Sequence, residues 1–131
     1  MSRVAVIGGG PAGIMAAAAA AGCGHDSVLL EKNEKLGKKL FLTGKGRCNI
    51  TNSCDTDDFF ANILRNPKFL YSALYGFSNT DIVELINANG VPTKAERGKR
   101  IFPASDKSSD VIKALTRHLN NSGAKLRLNT E

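Results

Sequence analysis

Three glycines and one acidic residue stand at spacings that suit the binding of a dinucleotide. Gly8, Gly10 and Gly13 form the pattern G-x-G-x-x-G after a short apolar run, and Glu31 ends a second apolar run. In such a turn the first glycine lets the chain turn sharply, the second lets a pyrophosphate approach the backbone, and the third lets a helix pack closely on the sheet. An acid at the Glu31 position accepts hydrogen bonds from ribose hydroxyls and repels a 2′-phosphate. The motif therefore predicts a dinucleotide other than NADP.

The elements around this turn are those of a βαβ unit. Residues 4–7 predict a strand, the alanine-rich residues 14–21 predict a helix, and residues 28–30 predict a second strand. Pro11 suits the first turn of that helix, where its missing N–H has no partner to lose. The helix N-terminus offers N–H groups and a partial positive charge to phosphates. The alternative is a glycine turn in another kind of α/β protein, and the spacing to Glu31 favours the dinucleotide site.

The length and composition fit one globular domain. The chain has 131 residues, of which 42% are hydrophobic and 23% charged. No apolar run approaches the roughly 18 residues of a membrane span. The apolar N-terminal segment contains three glycines and a proline at its centre, which argues against a signal peptide. We therefore expect a cytoplasmic protein that does not enter a membrane.

The cysteines and basic residues add weaker signals. Three cysteines without CxxC spacing suit a reducing compartment and predict no metal site. The net charge of +6 comes largely from two basic stretches, at residues 32–47 and 94–100. Such stretches can bind nucleic acid, form a solvated face or line the site of an anionic cofactor. Aromatic residues do not alternate with these cations, so nucleic acid is the least favoured of the three.

Residues 43–52 have the composition of a polar ligand-binding loop. Gly44 and Gly46 lie among hydroxyl, amide and guanidinium side chains, so we predict a loop rather than a helix or strand. Backbone N–H groups near the glycines could approach a flat or anionic ligand, and the side chains of Asn49, Thr51 and Asn52 could hydrogen-bond to it. An ordinary surface loop is an equally good interpretation of the composition alone.

Three helices are predicted to follow. The first begins after Thr56, the second covers residues 67–76 after an Asn66 cap, and the third begins at Ser78 with a capping box and ends at Asn89.

The remainder predicts a hairpin, a helix and a strand. The hairpin covers residues 91–103, residues 105–109 cap a helix over residues 110–120, and residues 125–129 form a third parallel strand beside the first two.

Several segments together resemble one family. They are the glycine turn, Glu31–Asn33, Leu36–Leu40, the stretch G-K-G-R-C-N-I-T-N ending at Asn52, and G-K-R-I-F-P ending at Pro103. The chain resembles the bacterial FAD-dependent flavoproteins of the aminoacetone-oxidase-like and bile-acid-reductase-like group. The resemblance implies an α/β fold with a Rossmann-like FAD-binding domain of the glutathione-reductase type, a parallel sheet with helices, and an inserted hairpin. Residues 1–131 would be the N-terminal part of that domain, with a helical and hairpin insertion at about residues 55–104.

The resemblance also implies which residues bind FAD. The glycine turn would hold the pyrophosphate and Glu31 the adenosine ribose, with Lys32 at the adenosine end. The loop from Thr43 to Asn49 would run along the ribityl or flavin end, where Lys45 or Arg47 would favour the anionic reduced flavin. The implied cofactor-binding set is Gly8, Gly10, Pro11, Ala12, Gly13, Glu31, Lys32, Lys39, Leu40, Thr43, Gly44, Gly46, Arg47, Cys48 and Asn49.

Members of this family are about three times longer, and they close the FAD site with a segment near their C-terminus. The resemblance therefore implies a C-terminal continuation or a partner chain, with NAD(P)H or a small molecule as a further reactant. The sequence identifies no general acid or base, and this chain alone is expected to have little turnover.

Two other functions remain open at the level of sequence. Cys48 and Cys54 follow the βαβ unit, roughly where disulfide reductases keep their redox pair, although five residues separate them. A packed thiol is the simpler interpretation of Cys48. The third possibility is a non-catalytic nucleotide- or RNA-binding module on the same fold.

Overall fold

A computed structural model describes all 131 residues, and it begins with the predicted βαβ unit. Strand β1 (Arg3–Ile7) leads through the glycine turn into helix α1 (Pro11–Gly22), and strand β2 (Asp26–Leu30) follows. The two strands are parallel, with Ala5 opposite Val28. Pro11 is the first residue of α1 and Gly10 is its N-cap, as predicted.

The last helix and strand complete a three-stranded parallel sheet. Helix α6 (Ser108–Ser122) ends at Gly123, whose φ is +82°, and strand β6 (Lys125–Arg127) pairs in parallel with β2. The sheet order is β1-β2-β6, which confirms the predicted third parallel strand. Helices α1 and α6 enclose a core of small and aliphatic side chains, among them Ile14, Ala17, Leu29, Val111, Ala114, Leu115 and Leu119.

The residues between β2 and α6 in the sequence form a second, antiparallel sheet. Strands β4 (Thr93–Glu96) and β5 (Arg100–Pro103) form the predicted hairpin, and strand β3 (Thr51–Asn52) pairs with the other side of β5. The prediction that residues 43–52 are entirely loop was therefore wrong at its end. Thr51 and Asn52 form a strand because their backbone pairs in antiparallel fashion with Ile101 and Arg100 of β5.

The helices between the sheets are α3 (Thr56–Ala61), α4 (Tyr71–Gly76) and α5 (Asn79–Ala88). The capping box at Ser78 is present: its side chain accepts from the Asp81 N–H, and the Asp81 carboxylate accepts from the Ser78 N–H. The predicted helix over residues 67–76 is confirmed at its end, Gly76, but its first four residues are not α-helical. Asn66 has a φ of +53° and makes no side-chain cap, and residues 67–70 form a 3₁₀ turn before α4.

Two further differences concern the ends of helices. Helix α6 begins at Ser108, two residues before the predicted start, and its N-cap Lys107 lies within the predicted capping segment but makes no side-chain cap hydrogen bond. The hydroxyl of Ser108 donates to the carbonyl of Phe41. Phe41 belongs to a short helix, α2 (Lys38–Leu42), that the sequence did not predict. None of the six helices combines the length and the hydropathy that a membrane crossing requires.

Candidate functional site

The glycine turn opens onto a cleft of about 680 Å³ at the carboxyl end of the parallel strands. Its walls are the end of β1, the start of α1, the end of β2 and the last two residues of the chain. Residues 129 and 130 run beside the segment that follows β2, where the Thr130 N–H donates to the Glu31 carbonyl at 3.0 Å. This is the edge of a parallel sheet at which ligands bind in open α/β folds.

The backbone of the turn has the two properties that an anion site needs. Gly8 has a φ of +103°, which an L side chain rarely adopts, so the turn out of β1 depends on glycine. The N–H groups of Gly10, Ala12 and Gly13 donate to no protein atom, as expected in the first turn of a helix. A Cβ on Gly10 would meet no atom within 4 Å, so the space beside this glycine is open. The turn therefore presents N–H groups and a partial positive charge to open space.

The carboxylate of Glu31 is buried and held by the protein. One oxygen, Oε2, accepts from the Gly9 N–H at 2.6 Å, and the other accepts from the backbone and side chain of Asn33 at 2.8 and 2.7 Å. These hydrogen bonds, led by the one from the Asn33 N–H, keep the pKa of Glu31 below its ordinary value of 4.5. The residue is 8% exposed at the cleft wall, and Oε2 retains acceptor capacity for a ligand hydroxyl.

Sequence reasoning missed two residues of this cleft. Gly9 was given no role, but a Cβ there would lie 2.5 Å from Leu36 Cδ2 and 2.9 Å from Glu31 Oε2. Asn33 fixes one Glu31 oxygen through two donors. The run of three consecutive glycines was the available signal for Gly9, whereas no local pattern marks Asn33.

Three lysines line the same cleft. Lys32 and Lys39 were predicted at the site, and the structure adds Lys38, which pairs with Glu34 at 2.9 Å. Lys39 also lines a second cavity, of about 390 Å³, and so joins the two spaces.

The second cavity is mainly apolar and brings together further predicted site residues. Pro11, Leu40, Thr43, Cys48 and Asn49 lie in its wall. The others are the side chains of Met15, Lys39, Ile50, Ile82, Ile86, Val111 and Leu115. A polar, anion-accepting cleft thus adjoins an apolar cavity, an arrangement that suits a ligand with a phosphate part and a flat ring part.

The loop over residues 43–49 forms one side of the apolar cavity. It begins with a 3₁₀ turn, and the Cys48 N–H donates to the Thr43 carbonyl at 3.1 Å. Oriented by its hydrogen bonds, the Asn49 amide donates to the carbonyls of Thr51 and Ile101 at 3.0 and 3.2 Å. Gly44 and Gly46 shape the loop with φ values of +55° and +86°, and neither lines the cavity.

The cysteines do not form a redox pair. All three are free, Cys48 is 3% exposed, and burial raises the pKa of its thiol. Cys54 lines a different cavity, with Asn52 and Phe59. A buried protonated thiol is a poor nucleophile, so the geometry does not support disulfide reductase chemistry.

Arg47 is directed at protein carboxylates rather than into either cavity. Its guanidinium donates to Asp106 at 2.9 and 2.6 Å and to Glu96, and it stacks on the ring of Phe102 at 4.2 Å. Lys94 completes this group, with its ammonium 2.7 Å from Asp106. We call Arg47, Lys94, Glu96 and Asp106 the four-charge cluster.

The four-charge cluster makes a testable contribution to acid sensitivity. Hydrogen bonds to Arg47 and Lys94 hold the pKa values of Glu96 and Asp106 below their ordinary 4.5 and 3.8. A lowered folded-state pKa means that this stability is present above the ordinary values and is lost as pH falls through the folded ones. Asp106→Asn should therefore lower the melting temperature at neutral pH, and the difference from wild type should shrink well below pH 3.8. A difference that stays constant with pH in calorimetry would contradict this account.

A family model described as "HI0933-like protein Rossmann domain" matches residues 2–131. Among curated relatives, the 3-dehydro-bile acid delta(4,6)-reductase of Clostridium scindens is 36% identical over 128 residues, covering 96% of this chain and 31% of that protein. The ribosomal RNA dihydrouridine synthase of Escherichia coli is 29% identical over 126 residues, again covering 96% and 31%. The chain thus spans about a third of the length of these relatives.

Among solved structures, THI4 of Thermovibrio ammonificans superposes with a TM-score of 0.61. It is 13% identical and covers 96% of this chain and 38% of that one. At this identity the likeness concerns the fold alone, and it confirms the Rossmann-like class predicted from the sequence.

Proposed function

Because residues 2–131 match its model, the chain belongs to the HI0933-like Rossmann-domain family, and we propose that it forms the pyrophosphate and ribose half of a flavin site. FAD is the cofactor of this family of domains. The observation that supports the proposal most is the adjacency of the glycine-turn cleft and the apolar cavity, with Lys39 in the wall of both.

The residues present fit the two ends of FAD. The unpaired N–H groups of Gly10, Ala12 and Gly13 suit the pyrophosphate. The Glu31 carboxylate, kept ionised by its hydrogen bonds, suits ribose hydroxyls, which donate. Lys32 and Lys39 supply positive charge along the cleft. The apolar cavity suits the flat ring, with Leu40, Thr43, Cys48 and Asn49 beside it.

A flavin, when bound, accepts and donates a hydride or single electrons. The chain's own residues would bind and orient it. The aliphatic wall formed by Ile82, Val111 and Leu115 would exclude water from the ring. Glu31 would reject NADP, because its negative charge repels a 2′-phosphate. No residue is assigned as acid or base.

Whole-protein activity is a further proposal. We infer that this chain works with a polypeptide equivalent to the rest of its longer relatives, as a flavin-dependent oxidoreductase acting on a small molecule or on RNA. NAD(P)H is the proposed reductant. A cytoplasmic location, and an insertion at about residues 55–104, stay predictions.

The alternative of a nucleotide- or RNA-binding module uses the same cleft or the basic stretches. Two of the cations in those stretches, Arg47 and Lys94, are already paired with carboxylates, which weakens the RNA interpretation.

The proposal is tested by titrating the purified chain with FAD, ADP and NADP⁺. The heat of binding is measured for all three ligands, and flavin fluorescence is followed as well for FAD. FAD should bind more tightly than ADP, because it also reaches the apolar cavity, and NADP⁺ should bind most weakly. Binding of RNA without binding of FAD would favour the module instead.

A further inference from the structure

The loop over residues 43–49 has a backbone that does not hold its shape unaided. Four of its residues have left-handed φ values: Gly44 and Lys45 at +55°, Gly46 at +86° and Cys48 at +59°. For the two that carry side chains this conformation costs about 1–2 kcal/mol each. Contacts elsewhere must therefore maintain the loop.

Arg47 supplies those contacts. It lies between Gly46 and Cys48, and its planar guanidinium meets Asp106 with two N–H groups and Glu96 with one of them. The ring of Phe102, 4.2 Å away, covers its face. Glu96 and Phe102 belong to the hairpin strands β4 and β5, so one side chain ties the loop to the second sheet. Both N–H groups converge on one oxygen of Asp106, Oδ1. Two convergent donors on a planar group that also stacks on a ring are a geometry that arginine supplies and lysine does not.

The direction of this side chain separates it from its neighbours. Thr43, Cys48 and Asn49 face the apolar cavity, whereas Arg47 lines neither cavity. Arg47 and Lys94 together carry two positive charges, and the carboxylates of Glu96 and Asp106 that they contact carry two negative ones. Arg47 is therefore poorly placed to stabilise a ligand's charge directly.

We propose that Arg47 is a positioning residue, which acts with Asp106 and Glu96 to hold Cys48 and Asn49 against the flavin end of the bound cofactor. This inference rests on the proposed function, and it replaces the predicted direct contact of Arg47 with the flavin. The loop borders the apolar cavity and not the glycine turn. Displacing the loop should therefore weaken the binding of the ring end of the ligand and leave the binding of the ADP end unchanged.

The test compares Arg47→Met and Arg47→Lys with wild type, and Arg100→Met serves as the matched control. Arg100 lies over the same ring at 5.7 Å but forms no ion pair. Arg47→Met should weaken FAD binding about tenfold, change the bound flavin's absorbance spectrum, and leave ADP affinity unchanged. Arg47→Lys should restore part of the affinity, because the charge returns without the fork. Arg100→Met should match wild type.

A second readout needs no ligand. Cys48 is buried and Cys23 is exposed. The labelling rate of Cys48 by a thiol reagent, divided by that of Cys23, therefore reports opening of the loop. Arg47→Met should raise that ratio about tenfold, and Arg100→Met should not. Equal losses of FAD and ADP affinity, or an unchanged labelling ratio, would overturn the positioning role. Absence of FAD binding by wild type would contradict the proposed function, and the labelling ratio would still decide the role of Arg47.

Discussion

Replacing Gly13 with alanine is expected to lower the melting temperature of this protein by about 10 °C. A Cβ at this position would lie 1.9 Å from the carbonyl oxygen of Gly8. The carbonyl belongs to the backbone and the position of a Cβ is fixed by the backbone, so no side-chain rotation relieves the clash, and α1 must move away from β1. Overpacking of this kind costs about 3 kcal/mol, which corresponds to roughly 10 °C for a domain of this size.

The matched control is Gly22→Ala, at the other end of the same helix. A Cβ on Gly22 would meet no atom within 4 Å, and alanine is the better helix former, so this variant should be as stable as wild type or up to about 1 kcal/mol more stable. Thermal unfolding followed by circular dichroism compares the two. Equal melting temperatures for the two variants would show that the close contact between α1 and β1 does not limit stability.

The parts of the fold that the sequence predicted are those set by local chemistry. The glycine turn, Pro11 at the start of α1 and the capping box at Ser78 depend on residues within a few positions of one another. Strand β3 was missed because it has two residues and its partner, β5, lies about fifty positions away. Helix α2 was missed because five residues are too few to show a helical period.

In the candidate site, too, the predicted features are local in sequence and the unpredicted ones depend on contacts between distant residues. The position of Glu31 at the end of β2 follows from its spacing to the glycine turn. The hydrogen bond that its carboxylate accepts from the Gly9 N–H could not be predicted, because it joins residues at the ends of two different strands. The family resemblance implied that Arg47 lies near the flavin. Its partners, Glu96 and Asp106, are distant in sequence, and only the folded hairpin brings them to it.

Replacing Gly10 with alanine should have the largest effect on ligand binding. Gly10 has a φ of −80° and a ψ of 178°, which alanine adopts readily, and its Cβ would clash with nothing in the protein. The cost to stability is therefore limited to the N-cap preference, about 1 kcal/mol or less. The added methyl group would occupy the space through which a pyrophosphate reaches the helix N-terminus. FAD affinity should fall at least about tenfold.

The most direct test of the account is a FAD titration of wild type, Gly10→Ala and Gly22→Ala, followed by flavin fluorescence at equal protein concentrations. The account predicts the same dissociation constant for wild type and Gly22→Ala, and a value at least about tenfold higher for Gly10→Ala at a nearly unchanged melting temperature. Equal FAD affinity of Gly10→Ala and wild type would contradict the central claim that the glycine turn holds the pyrophosphate.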